Sequence, residues 1–105
     1  MLRGDVHEIV LPTGRGRVQH GKRYAVIVQA DALLAISTIT VCPTSQSSPP
    51  ASFHPAIAIG DETTRVLCEL VGAVDASRLG RQVAHLGHDE LRRVKDGLEL
   101  VLDLR

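Results

Sequence analysis

The chain has 105 residues, with 12 basic and 12 acidic side chains and so no formal net charge. That length predicts one domain over residues 1–105, and neutrality excludes bulk charge attraction to nucleic acid or membranes as the basis of function. Tyr24 and Phe53 are the only aromatics, so the core has to be built from Val, Leu, Ile and Ala.

In chain order, "DVHEIVL" (residues 5–11) alternates Val6, Ile9 and Leu11 with polar His7 and Glu8, and predicts a first strand closed by Pro12 and the Thr13-Gly14 turn. Thr13 to Lys22 is a glycine-rich basic loop. Tyr24 to Gln29, apolar and β-branched, predicts a second, buried strand. "ADALLAIS" fits a short helix or an irregular connection. "TITVC" (38–42) predicts a third strand ended by Pro43. The loop Thr44 to Pro55 is polar and holds three prolines beyond Pro43. "AIAI" (56–59) and "RVLCELVGAV" (65–74, bent near Gly72) predict further strands. "DASRLG" suggests a helical turn capped by Asp75, and "RQVAHL" a last short strand. In the final segment Leu91, Val94, Leu98, Val101 and Leu102 recur at helical spacing, with Asp89 and Glu90 in the first turn, where the helix dipole favours acids. Gly97 should cost this helix about 1 kcal/mol relative to Ala. Many short strands and one terminal helix imply a small, strongly bent β-barrel or sheet plugged by a helix.

No run approaches the roughly 20 apolar residues needed to span a bilayer. Arg3, Gly4 and Asp5 directly follow Met1 and Leu2, where a signal peptide would need an apolar run. Cys42 and Cys68 sit in apolar contexts that suit reduced core thiols better than a disulfide, and no close Cys/His pair suggests a metal. The expectation is a cytoplasmic protein with no cofactor and no membrane partner.

Charge is unevenly spread. From Gly14 to Tyr24 there are four fixed cations (Arg15, Arg17, Lys22 and Arg23) with His20 among them and no acid. Arg23 stands where a loop enters a strand, so its backbone is held while its guanidinium can meet a phosphodiester's paired oxygens. "PTSQSS" follows the third strand as the basic loop precedes the second. Were these strands antiparallel neighbours, Arg23 would share one sheet end with Thr44 and Ser45. Arginine beside hydroxyls there would make an oxyanion clamp. Composition alone fits a solvated loop as well.

"RGDVHEIVLPTG", "GKRYAVIVQAD", "TITVCPTSQSS", "VLCELVGAVDASRLGRQVAHL" and the terminal amphipathic helix, in that order, together resemble the MazF/PemK family of toxin endoribonucleases, from Arg3 to Leu104. The resemblance implies an SH3-like barrel with a C-terminal helix, a homodimer, metal-independent cleavage of single-stranded RNA (messenger, transfer or ribosomal), and inhibition by a cognate antitoxin. Arg23 falls on the family's catalytic arginine. Thr44 falls on its catalytic threonine when the T-[ST]-Q-S run is aligned, and Ser45 when the proline is. Glu69 matches an acidic position near the site. The chain departs from the family at Tyr24 (usually proline), at Leu67 (basic in some members) and at His7 (a large aromatic).

The chemistry implied is attack by the RNA's own 2′-OH on the adjacent phosphorus, giving a 2′,3′-cyclic phosphate and a 5′-OH. Arg23 would stabilise the developing charge, with Thr44 or Ser45 donating a hydrogen bond. Arginine is poorly matched to proton transfer, so His20 or Glu69 are the candidate proton carriers. Arg15, Arg17 and Lys22 would bind flanking phosphates, and Gln46, His54 and Gln29 could read base edges. Ser47 to Ser52 is a candidate groove wall or lid. The competing readings are a non-enzymatic toxin of related fold that binds a topoisomerase, and a catalytically inactive SH3-like binding module.

Overall fold

A computed structural model describes residues 1–10, 23–34 and 37–104. Seven strands are present among them: β1 (Asp5–Ile9), β2 (Tyr24–Ile27), β3 (Thr38–Ser45), β4 (Ala56–Ile59), β5 (Glu62–Val66), β6 (Gly72–Asp75) and β7 (Leu79–His85). One helix follows, α1 (His88–Leu102). Every strand pairing is antiparallel, in the order β4-β5-β3-β2-β1-β7, with β6 beside β5 along the same edge of β3. The result is a mostly β architecture, a curled half-barrel sheet with one C-terminal helix.

Alternation along the central strands sends side chains to two apolar clusters. Val6, Tyr24, Val26, Cys42, Val66 and Cys68 form the larger one, against which α1 lays Leu91, Val94, Leu98 and Val101. Ala25, Ile27, Ile39 and Val41 face the other way and pack with Ile9, Val74 and Leu79. Leu102, expected on the buried helix face, is about half exposed. It lies in the last turn, beyond the reach of the sheet. Gly97 is buried instead, because α1 crosses Cys68 there so closely that an added Cβ would lie 2.7 Å from its Sγ. The Glu90 carboxylate accepts from the Gly87 N–H (3.0 Å) and from the Ala58 N–H (2.9 Å), so the start of α1 is tied to β4.

Several expected boundaries move: β2 ends at Ile27 rather than Gln29, β5 begins at Glu62 rather than Arg65, and β7 begins at Leu79 rather than Arg81. β3 does not stop at Pro43; it runs on to Ser45. In an extended strand a residue's nitrogen and carbonyl point to the same edge, and the Pro43 carbonyl accepts from the Leu67 N–H (2.9 Å). The missing Pro43 N–H therefore faces the gap where β3 changes partner from β6 to β5, and costs no bond to β2. The single strand expected over residues 65–74 is divided by a 3-10 turn at Cys68–Leu70 into the end of β5 and the start of β6. The turn expected at "DASRLG" is a 3-10 turn at Ala76–Arg78, with Asp75 accepting from the Ser77 N–H (2.9 Å) as its cap. "ADALL" forms a 3-10 turn at Asp31–Leu33. Cys42 and Cys68 are both buried free thiols, and the Cys68 contact together with burial pushes the Cys42 thiol pKa up, so it stays protonated. No helix among the described residues is long and apolar enough to cross a membrane.

Candidate functional site: the mouth of strands β2 and β3

The β2–β3 register pairs Ala25 with Pro43, Val26 with Cys42 and Ile27 with Val41. Carried one step further it sets Tyr24 opposite Thr44, and one more sets Arg23 opposite Ser45. The entry of β2 and the exit of β3 thus share one end of the sheet. The Thr44 hydroxyl confirms the approach by donating to the Tyr24 carbonyl at 3.4 Å. That is long for an O–H···O bond, so its proton can be redirected at little cost. Arg23 is exposed, and its carbonyl accepts from the Ile9 N–H (3.0 Å), fixing the backbone beneath the guanidinium to β1.

The two hydroxyls differ in setting. Thr44 is 3% exposed and lies on the face of Cys42, at the rim of the larger cluster. Ser45 is half-buried on the opposite face, its Oγ 3.2 Å from that of Ser47. Val66 and Arg65 pair with Thr44 and Ser45 from the other side. The pair of hydroxyls is therefore held between β2 and β5, a rigid location for a site on an otherwise loop-lined edge.

The loop after Ser45 is anchored by a residue whose position the sequence alone did not give. His54 places Nε2 2.8 Å from Glu69 Oε2 and 3.0 Å from Oε1, and Nδ1 2.9 Å from the Pro49 carbonyl. Both neighbours are acceptors, so the geometry suits an imidazolium that donates twice. The hydrogen bond to Glu69 and then that to Pro49 raise the His54 pKa above its ordinary value, against the opposing effect of burial. The same bond holds the Glu69 carboxyl below the usual range. The Phe53 ring stands 4.5 Å from the imidazole, and Arg65 Nη1 donates to the His54 carbonyl (2.9 Å).

A family model described as "PemK-like, MazF-like toxin of type II toxin-antitoxin system" matches residues 2–102. The chain belongs to this family. A Mycobacterium tuberculosis protein described as a candidate toxin is 30% identical over 106 residues, covering 99% of each chain. Among solved structures, an endoribonuclease in complex with its cognate antitoxin from a mycobacterial species superposes with a TM-score of 0.82 at 16% identity, over 100% of this chain and 97% of that one. The MazE-MazF complex from Deinococcus radiodurans (Form-II) gives a TM-score of 0.82 at 20% identity, again over 100% and 97%. At such identities the structural likeness establishes the MazF fold.

The remaining positions singled out in this MazF/PemK chain fall as follows. Arg15, Arg17, His20 and Lys22 lie outside the described residues. Gln46 is exposed and donates its amide to Glu62 Oε2 (2.8 Å), bridging to β5. Gln29 is used at both ends, giving its amide to the Leu33 carbonyl (2.8 Å) and accepting from the Thr40 N–H (2.9 Å). Tyr24 and Leu67 are both buried apolar side chains. His7, at the position of the family's large aromatic, is also buried, with Nδ1 2.9 Å from the Gly80 carbonyl, and offers no ring to stack on at the surface. Glu69 lies on the 3-10 turn, not on a strand, and its carboxylate is engaged with His54. The signal for that pair was present: Glu69 is the one charged residue between Val66 and Val74. What the sequence could not give was the fold of residues 46–55, which brings His54 to it.

Proposed function

We propose that this toxin is a sequence-specific, metal-independent endoribonuclease that cuts single-stranded RNA, with messenger RNA the substrate and transfer or ribosomal RNA the alternative. It acts as a homodimer and is held inactive by a cognate antitoxin. The 2′-OH attacks the adjacent phosphorus and gives up its proton to a base. The P–O5′ bond breaks, and the leaving oxygen takes up a proton. The products are a 2′,3′-cyclic phosphate and a 5′-OH. The substrate itself places the nucleophile next to its target, so the protein's task is to stabilise charge and align the phosphate.

One observation carries this reading: the β2–β3 register, which brings the backbone of Arg23–Tyr24 against Thr44–Ser45 at one sheet end. Arg23 supplies the positive fork, and Thr44 the hydrogen bond to a non-bridging oxygen. We assign Thr44 ahead of Ser45 on the T-[ST]-Q-S alignment and on its approach to the Tyr24 carbonyl; the register sets Arg23 across from Ser45, so the long guanidinium arm reaches round the sheet end to share a phosphate with Thr44. Arg15, Arg17 and Lys22 bind flanking phosphates, and Gln46 stands at the edge of the path. His20, on the same basic loop, is the proton carrier this reading assigns.

The test is incubation of the purified protein with a long RNA and a chelator, with mapping of the 5′ ends. Discrete cuts that leave 5′-OH and 2′,3′-cyclic phosphate termini, lost in Arg23→Ala, are expected. Intact RNA under these conditions, or cuts that leave 5′-phosphate, would overturn the proposal.

A further inference from the structure

The segment between the hydroxyl pair and β4 is held in a particular way. Its N-terminal end leaves β3 at Ser45 and its C-terminal end enters β4 at Ala56. Near that second end the backbone is well tied: the Phe53 carbonyl accepts from the Cys68 N–H (3.2 Å), the Pro55 carbonyl from the Val66 N–H (2.9 Å), and the His54 carbonyl from Arg65. A short bridge pairs Ala51 with His54. The middle, around Pro49, is attached through the His54 side chain, whose surface is 8% exposed.

We propose that His54 is a positioning residue for the hydroxyl turn: donating from both ring nitrogens, to the Glu69 carboxylate and to the Pro49 carbonyl, it straps residues 46–55 against the sheet beside Thr44 and Ser45. This rests on the assignment of those hydroxyls to the site and adds a proton-dependent control of it. A neutral imidazole carries one N–H and satisfies one of two acceptor-only partners. The carboxylate is the stronger acceptor, so on deprotonation the Nε2–H stays with Glu69. The Nδ1 lone pair then faces the Pro49 oxygen, and the strap opens at its middle. The groups facing His54 are the Glu69 carboxylate and Cys68 thiol of the 3-10 turn, the Phe53 ring, and from β5 the Arg65 guanidinium at its backbone carbonyl. The carboxylate, in direct contact, sets the sign: His54 holds its second proton to a higher pH than free histidine does, so the strap is closed below that raised pKa and opens as pH climbs through it.

The proposal is tested on the full-length protein by amide hydrogen exchange at Ser47, Ser48, Ala51 and Ser52. Protection is corrected for intrinsic rates and followed from about pH 5 to about pH 9, spanning the titration of histidine. RNA cleavage is followed over the same range. Wild type should lose protection in one step as pH rises, with a parallel rise in KM of about three- to tenfold, the size expected for loss of one ordinary hydrogen bond. His54→Gln keeps a donor to Glu69 and none to Pro49. It should show the open-state protection and the higher KM at every pH, with kcat little changed. Glu69→Gln offers an amide N–H to Nε2, so a neutral ring can still donate Nδ1–H to Pro49, and its protection should be flat and high. A wild-type protection profile without a step, or a step that persists in Glu69→Gln, overturns the proposal. A step in protection in a protein that cuts no RNA supports the strap while refuting the ribonuclease reading.

Discussion

Gly97 of α1 and Cys68 of the 3-10 turn touch with no room for a side-chain carbon between them: a Cβ on Gly97 would lie 2.7 Å from Cys68 Sγ and 3.4 Å from the Phe53 Cα. This contact seats the helix on the turn that also carries Glu69, so a glycine that weakens the helix in isolation holds the candidate site together from behind.

Gly97→Ala should therefore destabilise the protein by about 1–3 kcal/mol through overpacking, even though alanine is the better helix former by about 1 kcal/mol. Chemical denaturation measures this directly. Adding Cys68→Ala removes the sulfur from the contact, so the double variant should recover part of the loss. Simple additivity of the two substitutions would contradict the packing argument.

Arg23→Ala should lower RNA cleavage by about a hundredfold or more, the scale seen when a donor to developing charge is removed. Its stability to urea should fall by about 1 kcal/mol or less, since the polar contacts of an exposed arginine contribute little. Thr44→Val keeps shape and removes the hydroxyl; cleavage should fall by a similar factor, with about 1 kcal/mol or less of stability lost. Ser45→Ala should cost less than about tenfold, because that serine is the more solvated of the two and its hydroxyl is engaged with Ser47. A larger effect at Ser45 than at Thr44 would move the assignment to Ser45.

The His54–Glu69 pair makes stability depend on pH with a defined sign. The folded-state pKa of His54 is raised above 6.5, so its contribution is complete below that value and is lost as pH rises through the folded pKa. Glu69 is lowered from 4.5, so its contribution is present above that value and is lost as pH falls through the folded pKa. The stability difference between wild type and His54→Gln should therefore be greatest in mildly acidic to neutral solution and shrink towards both extremes. Denaturation midpoints of the two proteins across pH give this difference, and a pH-independent one would show that the pair does not titrate with folding.

RNA binding should weaken as salt is raised, because the basic loop is expected to displace condensed counterions. Replacing one of Arg15, Arg17 or Lys22 by Ala should reduce the slope of log K against log salt by about 0.7, the value for one phosphate contact on a single strand. Filter binding or fluorescence anisotropy on a non-cleavable oligonucleotide measures it. An unchanged slope in all three variants would place the RNA path elsewhere.

Much of the fold was legible because it rests on local pattern. β-branched runs marked β2 and the start of β3, and the spacing of Leu91, Val94 and Leu98 marked α1. What failed was context. Pro43 looked like a terminator because its tolerance depends on which edge its nitrogen faces, which only the pairing of β3 with β5 and β6 decides. Arg65 to Val74 looked continuous because a 3-10 turn with apolar flanks has no distinct period over three residues. At the site, Arg23 and the hydroxyls could be placed at one sheet end from the sequence only by supposing the second and third strands to be antiparallel neighbours, which the β2–β3 register bears out. The partnership of His54 and Glu69, 15 residues apart, arises from a proline-rich loop whose course no periodicity encodes.

The most direct measurement is a crystal structure with a single-stranded RNA carrying a 2′-deoxy sugar at the cut site, which binds but lacks the nucleophile. The phosphate after that sugar should lie within hydrogen-bonding distance of both the Arg23 guanidinium and the Thr44 hydroxyl, with the strand running along the β2–β3 mouth. A scissile phosphate bound on another face, out of reach of either side chain from this or a second subunit, would contradict the account.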